Sequence, residues 1–232
     1  VYEIAPVFRA EKSHTTRHLT EFTGVDFEMA FIKDEIELMN FVEEMLVDLL
    51  TKLKEECSSE LELLGVEHKI PEDIPRITMG EAKALLAEKG KKYTEEDDLD
   101  PEGEKLLGEI VKEKYGSEFV FLTNFPFAVR PFYCMKSEAD SNGTKSFDLL
   151  FNGVEIATGT QREHQLDVLE KQAKGKGLDL DKMPEYKDLF KYGCPPHGGV
   201  GFGLDRITQR LLKLDNIREA VLLPRDPERM SP

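Results

Sequence analysis

Apolar and polar residues alternate through VYEIAPVFRA (1–10) and again through TGVDFEMAFI (23–32), both rich in Val, Ile, Tyr and Phe. That period of two predicts two strands, and the polar segment EKSHTTRHL between them then reads as the connection of an antiparallel pair. At Asp34 the period changes. Ile36, Met39, Val42, Met45, Leu46, Leu49, Leu50 and Leu53 recur at three- and four-residue spacing, which predicts a long helix with Asp34 as its N-cap and this stripe in the core. Shorter helices are predicted over 80–89 and 102–115, and FVFLTNF (119–125) and VRPFYCM (129–135) read as strands. FDLLFNGVEIATG (147–159) reads as a hairpin, because Asn152-Gly153 between alternating apolar runs favours a type I′ turn. Helices are expected at 164–174 and 184–190. The run GGVGFGLDR (198–206) reads as a glycine-rich loop opening a last helix, whose buried face is marked by Leu204, Ile207, Leu211 and Leu212. AVLLP (220–224) reads as a further buried strand or run. Strand runs interleaved with flanking helices predict an α+β fold built on an antiparallel sheet.

Composition narrows this picture. With 232 residues and no Ser/Pro-rich linker, one domain with a sizeable core is expected. No apolar run is long enough to span a bilayer, so no membrane partner is expected. Cys57, Cys134 and Cys194 lack paired spacing, which predicts a reducing, cytoplasmic setting and argues against a zinc site or a disulfide framework. The net charge of −15, from 46 acidic and 31 basic residues, argues against a general nucleic-acid binder but leaves room for a nucleic acid held through a local patch. The acid is concentrated in the helix around 33–64 and in TEEDDLDPEGE (94–104), which read as solvated faces.

Two strings carry the chemistry. FRAEKSHTTRHLTEF (8–22) holds Arg9, Glu11, His14, Arg17 and His18 within ten residues, and the glycine-rich run ends on Arg206. Guanidinium forks match the oxygens of phosphate and carboxylate, and glycines let backbone approach a flat or anionic ligand. Together they suggest a nucleoside triphosphate site, although neither string is a Walker loop, a Rossmann fingerprint or a kinase loop.

These strings resemble motifs 2 and 3 of the class II aminoacyl-tRNA synthetases. The finer wording is similar to the aspartyl-tRNA synthetases of the archaeal and eukaryotic type. The resemblance rests on FRAEKSHTTRHLTEFTGVDFEMAF (8–31), RPFYCMK (130–136), FDLLFNGVEIATGTQREH (147–164) and YGCPPHGGVGFGLDRITQRLLKLDNIREAVLLPRDPERMSP (192–232). It implies the class II fold, a central antiparallel sheet flanked by helices. It also implies ATP-dependent activation of L-aspartate to aspartyl-adenylate, followed by transfer to the 3′ end of tRNA(Asp) and, in some relatives, tRNA(Asn). An asparaginyl enzyme, or a synthetase-like paralogue that charges no tRNA, stays open as an alternative. No Ser/His/Asp or Cys/His set is evident, which suits a reaction run by positioning and charge stabilisation.

The resemblance also assigns roles. Arg9 and Arg206 become the catalytic arginines, with Arg9 on the α-phosphate and the aspartate and Arg206 on the γ-phosphate or the adenine. Glu11 reads the adenine amino group, and Arg17, His18 and Leu19 close over the nucleotide. Glu155, Gly203, Leu204 and Asp205 complete the ATP site. Asp148, Glu155 and Thr158 are expected to hold Mg²⁺, because two carboxylates brought to one face of the hairpin beside phosphates suit an oxygen-seeking cation. Arg162 is expected on the side-chain carboxylate of the aspartate, with Gln161 and Glu163 orienting it and Thr158 nearby. In such enzymes an anticodon-binding OB-fold domain and a dimer-forming motif 1 precede the strand on which this sequence opens. The whole chain, 1–232, is therefore expected to be the catalytic domain from motif 2 onward, homodimeric only in the full-length protein and weak in tRNA recognition without those parts.

Overall fold

The fold, taken from a computed structural model that describes residues 1–231, is one seven-stranded sheet with helices on both faces. The strands are β1 (Tyr2–Phe8), β2 (Glu21–Ala30), β3 (Arg76–Thr78), β4 (Phe119–Thr123), β5 (Ser146–Phe151), β6 (Val154–Arg162) and β7 (His197–Gly203). Their order is β1-β2-β7-β6-β5-β4-β3, and every neighbouring pair is antiparallel except β3 and β4. The helices are α1 (Glu35–Glu56), α2 (Ser58–Leu64), α3 (Met79–Glu88), α4 (Pro101–Tyr115), α5 (Leu166–Gly175), α6 (Pro184–Lys191) and α7 (Leu204–Leu211).

Helix α1 starts where Asp34 accepts a hydrogen bond from the Ile36 amide at 3.0 Å, the cap its sequence predicted. Its buried stripe, Leu38, Met39, Val42, Leu46 and Leu50, covers one face of the sheet, meeting Phe27, Phe119, Phe121, Phe147, Phe151, Val200 and Phe202. On the other face α3 and α4 cover only the β3–β5 end, against Val120, Leu122 and Leu150. The rest of that face, over β2, β7 and β6, is left open and becomes the wall of a cavity.

Several expectations need correction. The glycine-rich run is not a loop: His197–Gly203 is the central strand β7, hydrogen-bonded to β2 on one side and β6 on the other. VRPFYCM forms no strand, but a single 3₁₀ turn at Phe127–Val129 followed by an isolated bridge from Cys134 to Arg162. Pro131, which lacks an N–H, explains the interruption. AVLLP is not buried, since Leu222 is 94% exposed and Leu223 51%. On α7 only Ile207 of the expected face is fully buried, and Leu204 is 40% exposed. The expected acidic helix is two helices broken at Cys57, and β3 went unpredicted.

Candidate active site

The open face owes its shape to β7. Along GGVGFG the side chains of Val200 and Phe202 enter the core, while Gly199, Gly201 and Gly203 point to the other face and leave it bare. Neighbouring strands supply what lies over that floor. Glu28 and Asp26 of β2 pair in register with Gly199 and Gly201, and Thr160 and Thr158 of β6 do so from the opposite side. A Cβ placed on Gly199 would lie 2.2–2.4 Å from the Glu28 carboxyl group, so the acid can lie there only because the strand carries no side chain at that point.

Above this floor is a cavity of about 600 Å³. The β1–β2 connection brings Arg9, Glu11, Arg17, His18 and Leu19 to it, β6 brings Glu155, Thr158 and Arg162, and the β7–α7 junction brings Gly203, Asp205 and Arg206. Twelve residues were expected at the site besides Asp148, and these eleven line the one space. Leu204 lies outside the wall, its side chain turned to solvent.

Arg9 is fixed by its amide, which donates to the Thr20 carbonyl at 2.9 Å, and its guanidinium lies 4.9 Å from the centre of the Phe22 ring. Arg206 enters from α7, donating to the Glu155 carbonyl at 3.0 Å with the Glu155 carboxylate at 3.4 Å. Its Nε also reaches the Arg17 carbonyl at 3.4 Å. Glu11 accepts the Lys12 and Ser13 amides at 3.0 Å each, and the Ser13 amide foremost holds its carboxyl below the usual range. His18 shares a 2.6 Å hydrogen bond with Thr15, and burial followed by the nearby Arg206 charge pushes its imidazole down. Asp205 accepts the Thr23 amide at 2.8 Å, tying α7 to β2.

At the far end Arg162 is clamped. Its Nε donates to Glu28 at 3.1 Å, its Nη2 pairs with the second Glu28 oxygen, and its guanidinium sits 4.9 Å from the Tyr133 ring centre. Gln161 and Glu163 do not orient it. Gln161 donates to the Lys33 carbonyl at 3.3 Å, and the Glu163 carboxylate caps the His164 and Gln165 amides. Sequence reasoning missed Glu28, Asp26 and Tyr133. The signal for the two acids was present: they occupy alternate positions of a strand whose other face is apolar. Burial, then repulsion from Glu3 and Glu28, pushes the Asp26 carboxyl up.

The hairpin places Glu155 and Thr158 on the cavity wall, with the Thr158 hydroxyl donating to Glu155 at 3.1 Å. Asn152 and Gly153 both have positive φ, 48° and 72°, as a type I′ turn requires. Leu150 faces Glu155 as expected, but a bulge between Leu149 and Leu150 then sets Asp148 directly opposite Thr158. Asp148 lies behind the wall, paired with Arg130 at 2.7 Å. Burial pushes its carboxyl up to about 6 against the pull of Arg130, and Glu155 adds repulsion. Its Oδ1 is buried without a partner. Among the described residues no group of three or more His, Cys, Asp and Glu is placed to hold a metal. The fit to Mg²⁺, which takes few protein ligands, therefore rests on Glu155, the Thr158 hydroxyl and the free oxygen of Asp148. Behind the same hairpin Glu104 of α4 pairs with Arg17, a residue the sequence reading left among solvated acids.

Arginines from both ends of the chain on one cavity, over an antiparallel sheet with a bare central strand, define a class II synthetase core. The sequence profile of the class II tRNA synthetases for D, K and N matches residues 1–227, and the chain belongs to that family. It is 48% identical over 235 residues to the aspartate–tRNA(Asp/Asn) ligase of Aeropyrum pernix and 46% identical over 233 residues to that of Thermus thermophilus. Both alignments use 100% of this chain, and 53% and 54% of those proteins, so the chain spans about half the length of the curated relatives it matches. Among solved structures, the aspartyl-tRNA synthetase of Entamoeba histolytica superposes with a TM-score of 0.96 at 38% identity, covering 100% of this chain and 48% of that one. The asparaginyl-tRNA synthetase of Pyrococcus horikoshii, complexed with asparaginyl-adenylate, gives 0.92 at 33%, covering 100% and 53%. No helix among the described residues is long and apolar enough to cross a membrane.

Proposed function

We propose that this chain is the catalytic domain of an aspartate–tRNA ligase, activating L-aspartate with ATP and passing it to the 3′ end of tRNA(Asp). The observation that carries this reading is the convergence of Arg9, Arg206 and Arg162 on a single cavity, with Glu155 beside Arg206. The nucleotide would lie on the bare strand β7, its phosphates between Arg9 and Arg206. The aspartate would lie toward Arg162, whose fork suits a side-chain carboxylate and is backed by Tyr133. An α-carboxylate oxygen of aspartate attacks the α-phosphorus. The bond to the bridging oxygen breaks, and pyrophosphate leaves with the electron pair. Arg9, held against Phe22, meets the charge that develops on the α-phosphate without having to reorganise. Glu155, Thr158 and Asp148 would hold Mg²⁺, which when bound offsets the phosphate charge.

Selection of aspartate over asparagine follows from Arg162, because a neutral amide would leave a desolvated cation unmatched. Glu28 pairs with Arg162, and an aspartate carboxylate would have to replace that counter-charge, which an amide cannot do. The names of the Aeropyrum and Thermus relatives support extending the acceptor to tRNA(Asn). Cytoplasmic relatives in Arabidopsis thaliana and Caenorhabditis elegans support the same location here. A homodimer is supported by β1, an edge strand with Tyr2, Ile4 and Phe8 exposed. Amino-acid-dependent ATP–pyrophosphate exchange tests the reading. Exchange with aspartate and not asparagine is expected, and Arg162→Ala should lose it while ATP binding persists. The reverse amino-acid preference would assign an asparaginyl enzyme, and no exchange with either would leave the catalytic reading without support.

A further inference from the structure

The acid behind the hairpin is the group that no role above uses. Glu104 sits in the first turns of α4, its side chain 13% exposed, and its carboxylate pairs with Nη1 of Arg17, itself 21% exposed. It does not line the cavity, whereas Arg17 does. Burying a carboxylate beside a site built for a triphosphate is unfavourable on two counts: it loses hydration and it adds negative charge where negative charge must bind. Such a group earns its place only by what it does to the cation between it and the cavity.

Its position is built in. Asp100 caps α4 by accepting the Gly103 amide at 2.7 Å, and Pro101 takes the first helical position. The helix then lies so close to the hairpin turn that a Cβ on Gly108 would be 2.5 Å from the Gly153 nitrogen, and one on Gly153 would be 2.6 Å from the Lys105 Cα. This contact sets the height of Glu104 against Arg17. Arg17 in turn offers its carbonyl to Arg206, which also meets the Glu155 carbonyl. An unbroken path therefore runs from α4 through the β1–β2 connection to the arginine of α7.

We propose that Glu104 is a positioning residue for nucleotide binding: it anchors Arg17 at the cavity wall and so orders the 9–20 connection before a triphosphate arrives. This rests on the reading of the cavity as an ATP site. The test compares Glu104→Gln, Arg17→Ala and the double variant, with Glu102→Gln as a control on the exposed side of the same helix. A hydrogen bond between charged groups is worth about 1.5–3 kcal/mol, so calorimetry with ATP and Mg²⁺ at pH 8 should show Glu104→Gln weakening ATP about 10- to 100-fold. Aspartate affinity should change less than about twofold, and in the Arg17→Ala background Glu104→Gln should add almost nothing. Equal affinity in Glu104→Gln and the unaltered protein, or losses that multiply in the double variant, would overturn the proposal. Amide hydrogen exchange without nucleotide reads the same link independently. Glu104→Gln should speed exchange within 9–20 and leave α1 and α5 unchanged, while Glu102→Gln should change neither. If ATP fails to bind even the unaltered protein, the ATP reading falls, and exchange in 9–20 alone decides whether Glu104 anchors Arg17.

Discussion

Replacing Gly108 with alanine should weaken the fold, although alanine is the better helix former. In α4 the new methyl would meet the Gly153 nitrogen at 2.5 Å, the Gly153 Cα at 2.7 Å and the Asn152 carbonyl carbon at 3.0 Å. All three are backbone atoms of a two-residue turn with both φ values positive, so nothing can rotate aside. Ordinary contact begins at 3.4 Å, and the helix or the turn must retreat by roughly 1 Å. Overpacking of this kind costs about 1–3 kcal/mol. Helix propensity returns about 1 kcal/mol. The net loss expected is up to about 2 kcal/mol, or a fall in Tm of up to about 8 °C for a chain of this size. Gly80 in α3 gives the opposite case, because its Cβ would find only the Thr78 hydroxyl, at 4.0 Å. Gly80→Ala should raise Tm slightly. Thermal unfolding of both variants beside the unaltered protein measures the contrast. If the two shift Tm in the same direction, α4 is not docked through its backbone on the hairpin.

Other substitutions probe the charges. Glu155→Gln should raise the Mg²⁺ concentration for half-maximal pyrophosphate exchange at least ~10-fold. An unchanged Mg²⁺ requirement with a lower rate would remove Glu155 from the metal site. Asp148→Asn should destabilise the fold by about 3–5 kcal/mol, since Arg130 would be left as a buried charge without its partner. Urea unfolding measures this, and a loss below about 1 kcal/mol would contradict it. Glu104 makes stability depend on pH. Burial chiefly, against the pull of Arg17, raises its carboxyl from 4.5 to about 7 in the fold, with Glu155 and Asp148 adding repulsion. The neutral form is thus favoured on folding, and its stabilising contribution is full below about 4.5 and lost as pH rises through 7. The difference between the unaltered protein and Glu104→Gln, unfolded in chelator, should change by about 3 kcal/mol over that window. A constant difference would show that Glu104 titrates normally.

Much of this was legible in local pattern. Asp34, most of the α1 stripe and the Asn152-Gly153 turn are short-range signals that formed as their spacing required, although in the first turn Leu38 is buried and Ile36 of the expected stripe is 45% exposed. The glycine-rich run misled because glycine is depleted in strands, yet here strand pairing on both sides holds it extended. Its Val200 and Phe202 already carried the period of two. Pairings between distant segments left no trace: Glu28 meets Arg162 across 134 positions, and Glu104 meets Arg17 across 87. The bulge at Leu149/Leu150 set Asp148 opposite Thr158, and no sequence signal marks it.

A platform made of backbone alone has no rotamers with which to accommodate a poorly matched guest. On the proposed function, a guest resting on Gly199, Gly201 and Gly203 would be judged by thickness, and discrimination among amino acids would fall to the side chains standing around the rim. A saturation scan of β7 would accordingly be intolerant at 199 and 201, intolerant also at 198, where a Cβ would meet the Thr160 carbonyl oxygen at 2.7 Å, and permissive among apolar residues at 200 and 202.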